Sequence, residues 1–334
     1  MDKNKEVKPE WLEKGFADEP VPAGTDLKAE IRRLCQEKNA VILAHYYTEA
    51  DVQDVADIVG DSLALAQQAA RTDADIILMC GVHFMGETCK LLCPAKKVLL
   101  PDLGATCSLA ESCPPEEFAA FVRRYPDHKV ISYVNTSAAT KAVTDVVVTS
   151  GNARQIVESF PPSQPLIFGP DRNLGAYINA VTGRQMLLWD GACHVHERFS
   201  ARRVEELKRR FPEAKVLVHP ECRGEVVRLA DKVGSTAALL RYAAESEADT
   251  FLVVTESGIL HEMLRRAPQK KFIPVPPEEG GACNECGYMR LVTLRKMYNA
   301  LRCEWPAVEV DPAIAEAAVR PIRRMLEISA RLGL

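Results

Sequence analysis

The sequence predicts an α/β protein: three three-layer αβα domains with parallel sheets, made by internal triplication. Three observations carry this reading. First, β-rich runs that end in polar groups recur as "NAVILAHYY" (39–47), "HKVISYVNTS" (128–137) and "AKVLVHPEC" (214–222). Second, anchored at His45, Tyr133 and His219, each run is followed seventeen residues later by a hydroxyl residue, at Ser62, Ser150 and Thr236. Third, each unit closes on a glycine, an alanine and a cysteine, in "LGATC", "DGAC" and "GGAC", which end at Cys107, Cys193 and Cys283.

The elements follow in order. An apolar helix comes after each hydroxyl residue. A strand comes next, in "ADIILMCG" (74–81), "QPLIFGPD" (164–171) and "ADTFLVVTES" (248–257). A second helix covers "FMGETCKLLCP", "NLGAYINAVTG" and "GILHEMLRRAP", and a last strand begins "KKVLLPD", "RQMLLWD" and "KKFIPVP". Short apolar strands alternating with helices form parallel β/α units, and copies of roughly 85 residues suit ordinary domain sizes. The boundaries read as an N-terminal arm over 1–27, repeats over 28–113, 114–200 and 201–297, and a helical segment over 298–334. Ligands of such sheets bind outside the carboxyl ends of the strands. Three Rossmann-like copies around a pseudo-threefold axis would bring their polar strand ends to one central site. Three copies in a row would keep those ends apart.

Composition excludes several classes. The chain has 334 residues, 47% hydrophobic and 26% charged, with a net charge of -4 and no long basic run. That gives a nucleic-acid partner little support. The N-terminal "MDKNKEVKPEWLEKG" has no apolar core of a secretory signal, and no apolar run reaches bilayer length. The expected location is cytoplasmic, with no membrane partner. The eleven cysteines are an odd number, so they cannot all pair within one chain, and a reducing compartment disfavours structural disulfides. Cys35, Cys80 and Cys303 read as small buried apolar residues. Cys89 and Cys93 of "CKLLC" read as helix packing, since Lys96 stands where a CxxxCxxC run needs its third cysteine.

Cys107, Cys193 and one of Cys283 or Cys286 are equivalent loop positions. Three thiolates suit a soft metal centre, such as a [4Fe-4S] cluster with one iron left open. A zinc site completed by His194 or His196, or three buried cysteines near loops, fits the spacing as well.

The stretches "AHYYTEADVQDVADIVGDSLALA", "MCGVHFMGETCKLL", "YVNTSAATKAVTDVVVTSGNA", "FGPDRNLG", "WDGACHVHERF", "VHPEC", "VGSTAALL" and "CNECGYMRLVTL" together resemble the quinolinate synthase A family of NAD biosynthesis. The likeness runs from about residue 28 to residue 302. It implies condensation of iminoaspartate (iminosuccinate) with dihydroxyacetone phosphate to quinolinate, with release of phosphate and water. It implies one [4Fe-4S] cluster per chain on three cysteines, at the centre of three Rossmann-like domains. By motif these cysteines are Cys107, Cys193 and Cys286. The internal repeat selects Cys283 instead, so the two guides disagree. Cys283 then forms a reversible disulfide with Cys286, serves structurally, or plays no part. An aspartate oxidase or dehydrogenase is the expected source of iminoaspartate.

Anionic substrates need local attraction. Ser62, Ser150 and Thr236 stand where helices start, and free N–H groups there bind carboxylate or phosphate; plain N-capping is the competing reading. Proton transfers dominate the implied chemistry and call for His, Tyr and Glu at strand ends. His45 and Tyr47, Tyr133 and Asn135, and His219 and Glu221 occupy those ends. Glu221 is the expected base, with a raised pKa, and His196 contacts substrate, orders the Cys193 loop, or serves only in packing or in support of another ligand. The open iron acts as a Lewis acid on a substrate hydroxyl. Two other classes compete: a zinc-stabilised module for small anions and an iron–sulfur sensor. Asp51, Asp54 and Asp57 read as the solvated face of a short helix. The C-terminal "PAIAEAAVRPIRRMLEIS" reads as an amphipathic helix interrupted at Pro321, and the first 25 or so residues as an arm over the site.

Overall fold

The computed structural model describes residues 7–279, 281 and 284–334. Twelve strands among the described residues form three four-stranded sheets. The first holds β1 (Ala40–His45), β2 (Ile58–Gly60), β3 (Ile76–Cys80) and β4 (Lys97–Leu99) in the order β2-β1-β3-β4. The second holds β5 (Lys129–Tyr133), β6 (Val146–Val148), β7 (Leu166–Gly169) and β8 (Leu187–Leu188) as β6-β5-β7-β8. The third holds β9 (Lys215–Val218), β10 (Lys232–Val233), β11 (Thr250–Val254) and β12 (Lys271–Pro274) as β10-β9-β11-β12. All pairings are parallel, and the register repeats: Leu43 faces Met79, Ile131 faces Phe168 and Leu217 faces Val253. The α/β triplication expected from sequence is therefore present. Each sheet has one strand more than the apolar runs suggest, because β2, β6 and β10 are short edge strands of two or three residues.

An aspartate fifteen residues beyond a residue of the core strand braces each repeat. Asp57, Asp145 and Asp231 accept the N–H of Ile42, Val130 and Val216, each at 2.8 Å. Asp57 thus lies beyond the helix Ala50–Val55 and off the solvated face expected of it. Asp51 and Asp54 do occupy that face and pair with Lys28 at 2.6 and 3.1 Å.

The central strands are buried on both faces, as parallel strands covered by helices must be. Every residue of β3 and β7 is buried. The chain divides into two compact units, Met1–Cys107 with Gly287–Pro312, and Ser108–Cys286 with Ala313–Leu334. In the first unit, Met297 and Leu301 of the helix Leu294–Cys303 pack into the core of Ile42, Leu78 and Leu99. The N-terminal arm seats Trp11 against Trp305 at 5.8 Å, and Asn299 donates to the Glu19 carbonyl at 2.9 Å. The described part of the arm is thus held on that same helix.

In the second unit, the helix Pro312–Arg331 runs without a break through Pro321, contrary to the expected interruption. Proline's φ suits a helix, and only one rung is lost. Ser329 accepts from Asn152 Nδ2 at 3.0 Å, which ties this helix to the second repeat. Cys80, Cys89, Cys93 and Cys303 are buried as expected, whereas Cys35 is half-buried. No helix among the described residues is long and apolar enough to cross a membrane.

Candidate functional site

In the first two repeats, one side chain eight residues past the strand end holds the loop that follows it. Gln53 Nε2 donates to the carbonyls of Tyr46 and Thr48 at 3.0 and 2.8 Å. Lys141 Nζ donates to the carbonyls of Val134, at 2.8 Å, and Thr136, and its side chain is fully buried. These braces present His45 with Tyr47, and Tyr133 with Asn135. In the first unit, Tyr47 N donates to His45 Nδ1 at 3.1 Å, and the two rings meet edge-on at 4.6 Å. Arg290 donates to the Tyr47 carbonyl at 2.8 Å.

The second unit gathers six of the expected residues. Glu221 sits at its centre, 3% exposed. Its Oε1 accepts from the Tyr133 hydroxyl at 2.6 Å, and its Oε2 lies 2.8 Å from His196 Nδ1. His196 stacks on His219 with ring centroids 4.6 Å apart, and its Nε2 meets the Thr255 hydroxyl at 3.0 Å. His219 Nε2 lies 3.3 Å from Ser150 Oγ, and His196 Nδ1 lies 3.3 Å from Cys193 Sγ. Asn173 Nδ2 holds the Glu221 carbonyl at 3.1 Å.

The electrostatics correct one expectation. Burial alone would raise the Glu221 pKa, but His196 and His219 beside it, with hydrogen bonds from His196 and Tyr133, hold it below the ordinary carboxylate range. Glu221 is therefore an ionised acceptor and lacks the raised pKa expected of a base near neutrality. Asp171 moves the other way. Burial, and then the Glu221 charge, push it well above the usual range against N–H donors from Leu174, Cys193 and Asn173.

The hydroxyl residues sit close to the expected helix starts. Ser62 and Thr236 are the first residues of the helices Ser62–Arg71 and Thr236–Glu245, and the caps are Asp61 and Ser235, one residue earlier. Ser150 lies in the turn before the helix Ala153–Glu158. Asp61 accepts from Ala64 N at 3.1 Å, so its carboxylate already takes one N–H of the first helix.

Cys107, Cys193 and Cys286 are half-buried, and Cys35 is the remaining half-buried cysteine among the described residues. Burial pushes the Cys35 thiol up to about 12, and it also raises Cys80, Cys89, Cys93, Cys113 and Cys222. Burial thus disfavours a thiolate at those six in the metal-free protein. The loops of Cys193 and Cys286 are tied directly: Asn284 Nδ2 donates to the Val195 carbonyl at 2.6 Å, while its buried Oδ1 has no protein partner among the described residues. Both cysteine amides point at buried carboxylates, Cys193 N at Asp171 and Cys286 N at Glu256. Cys283, and with it the disulfide expected as one alternative, lies outside the described residues.

Cys193, His196 and Glu221 also offer ligand atoms within 4.8 Å of one another and could hold a metal ion. Such an ion would compete with the His196–Glu221 and Tyr133–Glu221 hydrogen bonds. Sequence reasoning missed Asp171, Asn173, Thr255, Glu256 and the brace Lys141. Asp171 and Glu256 follow their strands at the same offset, a signal that aligning the "FGPD" and "VVTE" ends would have shown.

Three parallel α/β sheets carry a buried His/Tyr/Glu network beside Cys193, a group whose Cys193, His196 and Glu221 could hold a metal ion. The family model described as quinolinate synthetase A protein matches residues 29–327. The chain is 58% identical over 309 residues to the quinolinate synthase of Thermosynechococcus vestitus, which covers 92% of this chain and 97% of that protein. It is 56% identical over 304 residues to the quinolinate synthase of Microcystis aeruginosa, over 91% and 95% of the two chains. It is 54% identical over 318 residues to that of a Synechococcus strain, over 94% and 99%. The chain belongs to the quinolinate synthetase A protein family, a family of enzymes.

Proposed function

We propose that the chain condenses iminoaspartate with dihydroxyacetone phosphate to quinolinate, releasing phosphate and water, as a step of NAD biosynthesis. The observation that carries this is the Tyr133–Glu221–His196 network against Cys193, joined to family membership over most of the chain. Cys107, Cys193 and Cys286 are the ligands of one [4Fe-4S] cluster. Their half-buried thiols fit that donor set, and burial disfavours a thiolate at the six thiols it raises. When bound, the cluster supplies an iron with an open position, a Lewis acid toward a substrate hydroxyl. The overall reaction has no net electron transfer.

The chain's own groups do the rest. Glu221 stays ionised, so His196 carries its proton on Nδ1, facing that carboxylate. Tyr133 presents its hydroxyl proton along the same carboxylate, and His219 is aligned by stacking on His196. Tyr133 and His219, with His45 and Tyr47 of the first unit, are the acid–base groups, and Glu221 is the ionised acceptor that orients Tyr133 and His196. Asn135 and His196 contact substrate alongside them. Ser62, Ser150 and Thr236 offer hydroxyls, with backbone N–H groups beside them, to the carboxylates and phosphate. Iminoaspartate is supplied by an aspartate-oxidising enzyme.

The test is quinolinate formation under anaerobic conditions from iminoaspartate and dihydroxyacetone phosphate. The cluster-loaded protein forms quinolinate, and the Tyr133→Phe variant forms it at least about tenfold more slowly. A loaded protein that turns over nothing would leave an iron–sulfur sensor. Zinc without sulfide would leave an anion-binding module.

A further inference from the structure

We propose that Asp171 and Glu256 are a matched pair of positioning residues for the thiolate ligands Cys193 and Cys286. Each holds the backbone N–H of its cysteine from the same place in its repeat. The inference rests on the cluster reading above.

The two carboxyl groups are equivalent by topology. Asp171 stands two residues past the end of β7, and Glu256 two residues past the end of β11. Both are 0% exposed. In each, one oxygen serves its own chain segment. Asp171 Oδ1 accepts from Leu174 N at 2.7 Å at the start of the helix Arg172–Thr182, and Glu256 Oε2 accepts from Gly258 N at 2.6 Å, just before the helix Ile259–Arg266. The other oxygen reaches a different loop. Asp171 Oδ2 accepts from Cys193 N at 3.2 Å, and Glu256 Oε1 accepts from Cys286 N at 3.1 Å. A local contact, a helix cap for Asp171 and a turn for Glu256, explains the first oxygen of each pair and not the second.

Capping alone would not call for a buried acid either. Burying a carboxyl group is costly unless its oxygens are satisfied, and this chain caps other helices with the hydroxyls of Ser137, Ser200, Ser235 and Thr293. A two-oxygen acceptor is required where one side chain must hold both a helix start and a second loop. The first repeat supplies the contrast. Its equivalent residue is Val82, which has no polar side chain. There the tie is backbone to backbone, from His83 N to the Ala105 carbonyl at 2.7 Å, two residues before Cys107. Fixing the amide of a cysteine fixes the direction of its Cα–Cβ bond, so these ties set where the thiolates point before iron arrives. Support of that kind behind metal ligands is worth about 10–100-fold in metal affinity.

The experiment compares the native chain with Asp171→Asn, Glu256→Gln and, as control, Asp231→Asn, which removes a similar carboxylate-to-amide bond away from the cysteines. Iron and acid-labile sulfide are counted after anaerobic reconstitution. Cluster loss to an iron chelator is then followed by visible absorbance, and the melting temperature of each cluster-free protein is recorded. The expected result is that Asp171→Asn and Glu256→Gln lose the cluster about 10–100-fold faster than native. Asp231→Asn should stay within about twofold of native despite a comparable drop in melting temperature. Should one variant fail to fold, the other decides. Native-like cluster retention in folded Asp171→Asn and Glu256→Gln, with melting temperatures lowered as in the control, would overturn the inference and leave one helix cap and one turn brace. Absence of iron and sulfide from the native chain would overturn the cluster reading itself, and that is visible before any variant is made.

Discussion

The loops after β5 and β9 carry out one task in two ways. After β5, Lys141 reaches back from a fully buried position to two loop carbonyls, and Tyr133 is presented from a rigid turn. After β9, the residue at the matching place is Val227, which has no donor. That turn closes instead through Cys222 N to the His219 carbonyl at 3.0 Å, and Glu221 within it binds Tyr133 and His196. The repeats thus differ in how they brace strand ends that carry different chemistry. The first loop is intermediate, with the amide of Gln53 in the role of Lys141.

Lys141→Met leaves two buried carbonyls unsatisfied and should cost about 3 kcal/mol. Lys141→Gln should recover part of that loss, since Gln53 does the same work. Urea unfolding measures both, and equal losses in the two variants would contradict a shared bracing role. Next in size, Tyr133→Phe removes the hydrogen bond to an ionised carboxylate, worth about 2 kcal/mol. The loss should appear in kcat more than in KM, whereas a rise in KM alone would mark Tyr133 as a binding group.

Asp145 and Asp231 each pair with a lysine at the start of the neighbouring strand, Lys129 and Lys215, at 3.0 and 2.9 Å. The first repeat has Val41 there. Asp145→Asn and Asp231→Asn should therefore each cost about 1 kcal/mol, and Asp57→Asn less, as read from melting temperatures. The smallest effect lies at Glu304, which joins Lys38, at 2.6 Å, to Lys97. Hydrogen bonds from these two lysines hold its pKa down to about 2. A depressed carboxylate adds stability that is complete above its unfolded pKa of about 4.5 and disappears as pH falls toward 2. Solvent screening limits this to about 1 kcal/mol or less. Glu304→Gln should flatten stability between pH 5 and 2 by about that amount, and an unchanged acid limb would dismiss the bridge.

Much of this was legible in the residues. Nine strands announce themselves as apolar runs, and the seventeen-residue offset places Ser62, Ser150 and Thr236 at or near helix starts. What stayed hidden has physical causes. The edge strands β2, β6 and β10 are too short to show a pattern. Asp171 and Glu256 act on amides 22 and 30 residues away, a separation no local period records. The Glu221 pKa was read in the wrong direction because its environment is set by His196 and Tyr133, which come from other loops.

We propose that Cys107, Cys193 and Cys286, three of the half-buried cysteines, hold iron. Iron, zinc and acid-labile sulfide per chain, counted after anaerobic purification of the native protein and its Cys286→Ser variant, test it most directly. The account predicts about four irons and four sulfides in the native chain and loss of both in the variant. About one zinc per chain with no sulfide, unchanged in the variant, would contradict it and point to Cys193, His196 and Glu221 as the metal ligands.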